Sequence, residues 1–338
     1  MRALLSHAPG GPETLRIDEL PDPVAGAGEL LVRVRAAAIN FPDVLIIEDK
    51  YQFKPSRPFA PGGEIAGEVE AVGEGVSGWQ VGDRLIAVSG WGGLAEKIVI
   101  PAKAAIPLPA SRSFVDGAAL MLTYGTSIHA LYDRGKLKAG ETLLILGAAG
   151  GVGLAAIELG KAKGARVIAA VSSEAKAAAA REAGADEAIV YPTGPFDPST
   201  SSGRAELKLL SGQFKAAVGP GGADVIYDPV GGDYAEAALR SIAWQGRYLV
   251  VGFPAGIPRL PLNLTLLKSC DVCGVFWGAF AARDPEANAA HVATLFQLWD
   301  EGKIGPKVSA TYPLERGGDA IAALAARSVI GKVVVTLD

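Results

Sequence analysis

The stretch Gly147-Ala148-Ala149-Gly150-Gly151-Val152-Gly153 interrupts an apolar run, Leu143 to Leu146, and is followed at once by Leu154 to Lys161, which reads as a helix. A glycine turn between a strand and a helix can hold an anion. Backbone N–H groups at the helix start face it, and the missing side chains let a pyrophosphate approach. Gly150 and Gly153 fill the second and third glycine positions of G-x-G-x-x-G, with Ala148 in the first, so Ala149, Gly150, Gly151, Val152 and Gly153 are the expected cofactor-binding turn. The alternative is a tight turn with no ligand.

The next strand selects the dinucleotide. A free ribose 2′-hydroxyl usually meets Asp or Glu about 20 residues after the glycines, whereas a 2′-phosphate needs neutral or basic donors. Here the strand ends in Val171-Ser172-Ser173-Glu174-Ala175-Lys176. Ser172 and Ser173 offer hydroxyl donors and Lys176 a charge, which predicts NADPH. Glu174, one place past the strand end, is expected to complement a helix dipole; turned inward it would favour NADH.

These residues sit in a chain whose rhythm changes once. Up to about residue 121, short apolar runs such as Leu30 to Val34 and Gly67 to Val72 alternate with Gly and Pro turn signals, predicting a mostly β, partly barrelled domain. From about 122, strands alternate with helices: Thr142 to Leu146, Val152 to Lys163, Arg166 to Val171, Glu174 to Ala183, Ala188 to Tyr191, Arg204 to Ala217, Ala223 to Tyr227, Tyr234 to Ile242 and Arg247 to Val251. That order predicts βαβ units and a doubly wound parallel sheet. Helices around Ala287 to Trp299 and Leu314 to Ala326 and a strand at Lys332 to Thr336 close the chain, and 192–203 reads as a surface loop.

Composition excludes several partners. The 338 residues are 49% apolar, enough to bury a sizeable core and to make two domains. Net charge is −4, and the 32 basic residues are scattered without a run, so no nucleic-acid partner is expected. The N-terminal residues lack a signal-peptide pattern, and nowhere do about 18 uncharged apolar residues run together, so a cytoplasmic protein without a membrane partner is expected. Cys270 and Cys273 have C-x-x-C spacing but no second ligand pair, and two buried structural thiols are the expected outcome.

The segment from Gly140-Glu141-Thr142-Leu143 through the glycine turn to Lys161 resembles the signature of the quinone oxidoreductase and zeta-crystallin branch of the medium-chain dehydrogenase/reductases, departing where Glu158 replaces its Gln. Similar stretches recur along nearly the whole chain: Ala38 to Asp43, Pro61 to Val69, Gly82-Asp83-Arg84, Tyr227 to Gly232, Val251-Gly252-Phe253, Leu266-Leu267-Lys268 and Val275 to Gly278. The resemblance implies a GroES-like catalytic domain made from both ends of the chain, 1–121 and 285–338, with a Rossmann NADPH-binding domain inserted at 122–284. It also implies a homodimer, with the apolar edge strand Asp271 to Phe276 as a candidate pairing element.

By the same resemblance Thr126 lies near the nicotinamide, and Phe253, Phe276, Trp277 and Gly278 line that end. Lys176 and Tyr191 go to the 2′-phosphate and adenine end, while Asn40 and Tyr51 face the substrate as catalytic donors. Plain alternatives stand beside these roles. Tyr51, Phe276 and Trp277 are otherwise packing residues, Asn40 a backbone partner, Asp43 and Glu64 loop anchors, Asp228 a turn cap and His129 a satisfied polar residue.

Zinc-dependent relatives of this fold place Cys where this chain has Asn40 and His where it has Gly63, and a catalytic zinc needs about three Cys, His or carboxylate ligands. No metal site is therefore expected. Without one, an acceptor that takes hydride unaided is required, and quinones and conjugated enones qualify because charge delocalises into a hydroquinone anion or enolate. The expectation is an NADPH-dependent, zinc-independent reductase of a small-molecule quinone or enone. The alternatives are an enoyl-thioester reductase of the acryloyl-CoA type and an NADPH-binding crystallin-like or RNA-binding protein without turnover.

Overall fold

A computed structural model describes residues 1–194, 196 and 199–338. The chain divides into two compact units, Met1–Leu122 with Pro306–Asp338, and Thr123–Gly305. The second boundary falls later than the expected 284/285, because the helix Pro285–Asp300 packs into the second unit. It buries Leu295 and Trp299, and its Asn288 Oδ1 accepts from Trp277 Nε1 at 2.9 Å.

The first unit is built on a seven-stranded sheet that uses both ends of the chain. Lys332–Thr336 pairs antiparallel with Glu29–Ile39, which in turn pairs with Glu64–Val72 and with Lys97–Pro101. Register shifts along the Glu29–Ile39 and Glu64–Val72 pair bend the sheet toward the expected barrel. Its core holds Leu30, Val32, Ile65, Leu85 and Val333, the inward residues of alternating strands.

The second unit carries six parallel strands in the spatial order Glu187–Val190, Arg166–Val171, Thr142–Leu146, Ala223–Asp228, Ile242–Val250, Asp271–Gly274. Numbered along this unit the order is 3-2-1-4-5-6, that of a Rossmann fold. Leu143, Leu144 and Ile145 are fully buried in the central strand, as a strand covered on both faces requires.

Several sequence-based boundaries move. The helix expected at Arg204 to Ala217 runs from Ser201 to Val218, because Thr200 caps it by accepting from the Gly203 amide. The strand expected at Arg247 to Val251 begins at Ile242, and the helix before it ends at Leu239. In the expected surface loop 192–203, Pro195, Asp197 and Pro198 lie outside the described residues, while Phe196 is buried edge-on to Tyr234. Cys270 is buried and Cys273 half-buried, both without a disulfide. Among the described residues no helix is long and apolar enough to cross a membrane.

Candidate dinucleotide site and its surroundings

The glycine turn has the geometry its sequence requires. Gly147 adopts φ 55°, and a Cβ there would come within 2.7 Å of Val230 Cγ2. Gly153 is closer still, since an added Cβ would lie 2.6 Å from the Gly147 carbonyl oxygen and 2.7 Å from Ala148 backbone atoms. Gly150 is less crowded, since an added Cβ would meet the Gly147 carbonyl oxygen at 3.5 Å, and it caps the helix Gly151–Ala162. The amides of Gly151, Val152 and Gly153 form the first turn of that helix, where N–H groups have no intrahelical acceptor and the dipole favours an anion.

At the end of the neighbouring strand the expected donors come together. Lys176 Nζ donates to Ser172 Oγ at 3.1 Å, and Ser173 caps the following helix by accepting from the Lys176 amide at 3.3 Å. Glu174 is exposed in the first turn of that helix, where its charge complements the dipole. Tyr191 is placed differently from its expected role at the adenine end. Its ring is buried, edge-on to Phe214 and tilted against Tyr234 at 5.1 Å, which makes it a core residue.

Thr126 lies half-buried on the helix Met121–Ile128. The next residue, Ser127, donates to the Val152 carbonyl at 3.0 Å and shares a hydrogen bond with Tyr227 Oη, fixing this helix to the first turn after the glycines. Of the segment expected at the nicotinamide end, Phe253 and Phe276 have half-exposed side chains. The Trp277 side chain takes the packing alternative: its indole lies against Gly125, where a Cβ would approach within 2.6 Å, and its N–H is spent on Asn288. Gly278 opens toward free space, with Phe276 at 3.9 Å from an added Cβ.

Asp228 resolves as a turn anchor. Its Oδ1 accepts from the Val230 and Gly231 amides and its Oδ2 from Tyr248 Oη, the arrangement of a residue that caps the following turn. His129 is buried, bonded through Nδ1 to Asp133 and stacked on Phe280 at 4.1 Å.

In the first unit, Asn40 departs from the expected substrate donor. Its Nδ2 donates to the Ala38 carbonyl at 3.2 Å and to Glu64 Oε2 at 3.0 Å, while its Oδ1 accepts from Lys332 Nζ. Both amide hydrogens are used inside the protein. Glu64 also accepts from Lys332 Nζ at 3.1 Å and, through Oε1, from the Leu122 amide at 2.8 Å. Lys332 is 4% exposed and Glu64 1%, so this is a buried ion pair whose third member is Asn40. Sequence patterning gave no signal for Lys332, which reads there only as the first residue of the closing strand.

Asp43 anchors the adjoining loop. It accepts from the amides of Asn40, Gly62 and Gly63, and burial pushes its carboxyl up to about 6 although those bonds and Lys332 pull it down. The folded value lies above the ordinary 3.8, so between the two the native state keeps a proton that the unfolded chain has lost. The stability this proton contributes is lost as pH rises through about 6. Thermal midpoints of the wild type minus those of Asp43→Asn should fall between pH 4 and 6.5 and level off above; a difference flat across that range would contradict the assignment.

Family models match the chain as "Alcohol dehydrogenase GroES-like domain" over residues 26–110 and as "Zinc-binding dehydrogenase" over residues 151–294. The quinone oxidoreductase-like protein 2 homolog of Nematostella vectensis is 36% identical over 338 residues, covering 99% of this chain and 88% of that protein. The chain belongs to the quinone oxidoreductase branch of the medium-chain dehydrogenase/reductases. Quinone oxidoreductase of Rattus norvegicus is 30% identical over 95% of this chain and 92% of its own length. The Escherichia coli quinone oxidoreductase, solved in complex with NADPH, superposes with TM-score 0.89 at 30% identity over the full length of both chains.

The second family description implies a metal, and the residues do not fit one. Asn40 Oδ1 already faces the Lys332 ammonium, whose charge opposes a second cation there. At Gly63 even a Cβ would lie 2.8 Å from the Gly90 carbonyl oxygen, so neighbouring backbone occupies the space where a ligand side chain would start. Among the described residues no group of three His, Cys, Asp or Glu side chains is placed to hold a metal ion.

Proposed function

We propose that this quinone oxidoreductase relative uses NADPH, without a metal, to reduce quinones or conjugated enones. The observation that carries the reading is the pairing of Lys176 Nζ with Ser172 Oγ beside the glycine turn, a cation and hydroxyl where NADH enzymes place a carboxylate. NADPH bound there would supply a hydride from C4 of its nicotinamide. The chain's own part is to hold the pyrophosphate on the first-turn amides and the 2′-phosphate on Ser172, Ser173 and Lys176, with Thr126 and the segment from Phe276 to Gly278 at the nicotinamide end.

With Asn40 engaged, Tyr51 becomes the proposed donor to the acceptor oxygen. Its hydroxyl has no hydrogen-bond partner among the described residues, and its ring stands edge-on to Phe53. Burial and the nearby Asp43 charge raise its pKa above the ordinary 10, so it remains a protonated donor at neutral pH. Tyr51→Phe should lower kcat for quinones by about tenfold to a hundredfold with little change in the KM for NADPH. NADPH oxidation followed at 340 nm over quinones, enones and acyl-CoA esters tests the reading. Acyl-CoA rates far above quinone rates would move the assignment to an enoyl-thioester reductase, and tight NADPH binding with no turnover to a non-catalytic binding protein.

A homodimer belongs to the same proposal. Val272 is exposed on the edge strand Asp271–Gly274 and Phe276 just after it, and Leu262, Leu266 and Leu267 are exposed in the segment that precedes it.

A further inference from the structure

Glu158 stands on the helix that the glycine turn opens. It is half-buried, and burial holds its carboxyl above the ordinary 4.5 against two hydrogen bonds that pull it down. Both bonds fall on one oxygen. Oε2 accepts from Tyr124 Oη at 2.6 Å and from the Gly305 amide at 2.9 Å. Tyr124 is the second residue of the second unit and Gly305 its last, so a single carboxylate oxygen on the cofactor helix gathers the segments by which the chain enters and leaves that unit.

Tyr124 also shares a helix with Thr126 and Ser127. Ser127 ties that helix to the glycine-turn helix at Val152, in its first turn, and Tyr124 ties it at Glu158, more than a turn further on. Two attachments at different heights fix both the distance and the tilt between helices, where one would leave a pivot. Tyr124 is buried, so its hydroxyl has few partners other than the Glu158 carboxylate, and the second attachment is stiff.

We propose that Glu158 is a positioning residue, holding the helix of Thr126 and the Gly305 segment in register with the pyrophosphate turn so that the two ends of a bound dinucleotide meet one rigid frame. The proposal rests on the NADPH reading above. Glu158 stands more than a turn beyond the first-turn amides assigned to the pyrophosphate, and its Oε2 is engaged by Tyr124 and Gly305, so its proposed role is exercised through those two partners. Its loss therefore leaves the phosphate contacts in place and loosens only the reacting end.

The test is Glu158→Leu, which removes the oxygen that accepts both bonds at similar volume, beside Glu158→Gln, whose carbonyl oxygen can still accept both bonds. Glu158→Leu is expected to keep NADPH affinity near that of the wild type in fluorescence titration while kcat per folded molecule falls about tenfold or more, because misplacement taxes the hydride step. The primary isotope effect on kcat with 4-deuterated NADPH should rise as that step becomes limiting. Glu158→Gln should recover most of the rate. Tyr124→Phe, which removes only one hydroxyl and keeps the ring in the core, should shift kcat and the isotope effect in the same direction by less, and serves if Glu158→Leu does not fold.

Unchanged kcat and isotope effect in Glu158→Leu and Tyr124→Phe would overturn the proposal. So would a loss in which NADPH affinity and thermal stability fall together and Glu158→Gln is equally impaired. Failure of the wild type to bind NADPH would overturn instead the reading on which it rests.

Discussion

Gly153→Val is expected to reduce NADPH affinity by about a hundredfold or more while leaving a folded protein. The added branched side chain would start with its Cβ 2.6 Å from the Gly147 oxygen and 2.7 Å from Ala148 backbone atoms. No flexible side chain can move to make room, so the turn itself must open. Overpacking of this kind costs about 1–3 kcal/mol of stability, which a two-unit protein can absorb. The cofactor site cannot absorb it, because the amides of Gly151, Val152 and Gly153 converge only while the turn stays closed. Fluorescence titration with NADPH, with circular dichroism as the folding control, checks this. Wild-type affinity in the variant would remove the turn from the binding site.

Lys176→Ala carries the second large effect. A charge-assisted hydrogen bond contributes about 1.5–3 kcal/mol, or roughly ten- to a hundredfold in affinity. That loss should appear in the KM for NADPH and not in that for NADH, which lacks the 2′-phosphate. Ser172 loses its ammonium neighbour in the variant but keeps its hydroxyl, so some discrimination should remain. Equal increases for both cofactors would place Lys176 outside the phosphate site.

The sequence carried the parts of this site that depend on local backbone. The glycine turn, Ser172, Ser173 and Lys176 sit at the ends of adjacent strands, and the strand-helix rhythm positions them before any tertiary contact is known. The parallel sheet was legible for the same reason. What escaped was long-range. Lys332 and Asn40 lie 292 positions apart and meet only because Lys332–Thr336 pairs with Glu29–Ile39, and that pairing uses up the amide that looked free as a substrate donor. Trp277 and Tyr191 read as ligand-lining aromatics, but side-chain direction is decided by packing partners, Gly125 and Asn288 for one and Phe214 and Tyr234 for the other. The π-helical form of His129–Arg134, buried at His129, Ala130 and Leu131, was not legible either.

The buried cluster of Asn40, Glu64 and Lys332 bears on the metal question too. A carboxylate and an ammonium already neutralise one another there, and a second cation would have to displace Lys332 from Glu64. The absence of a side chain at Gly63 and the engagement of Asn40 point the same way.

Metal-free hydride transfer is tested most directly by quinone-dependent NADPH oxidation with protein exhaustively treated with a strong chelator and checked by elemental analysis. The metal-depleted protein should keep an unchanged kcat and gain nothing on addition of zinc. Activity lost on chelation and restored by stoichiometric zinc would contradict it.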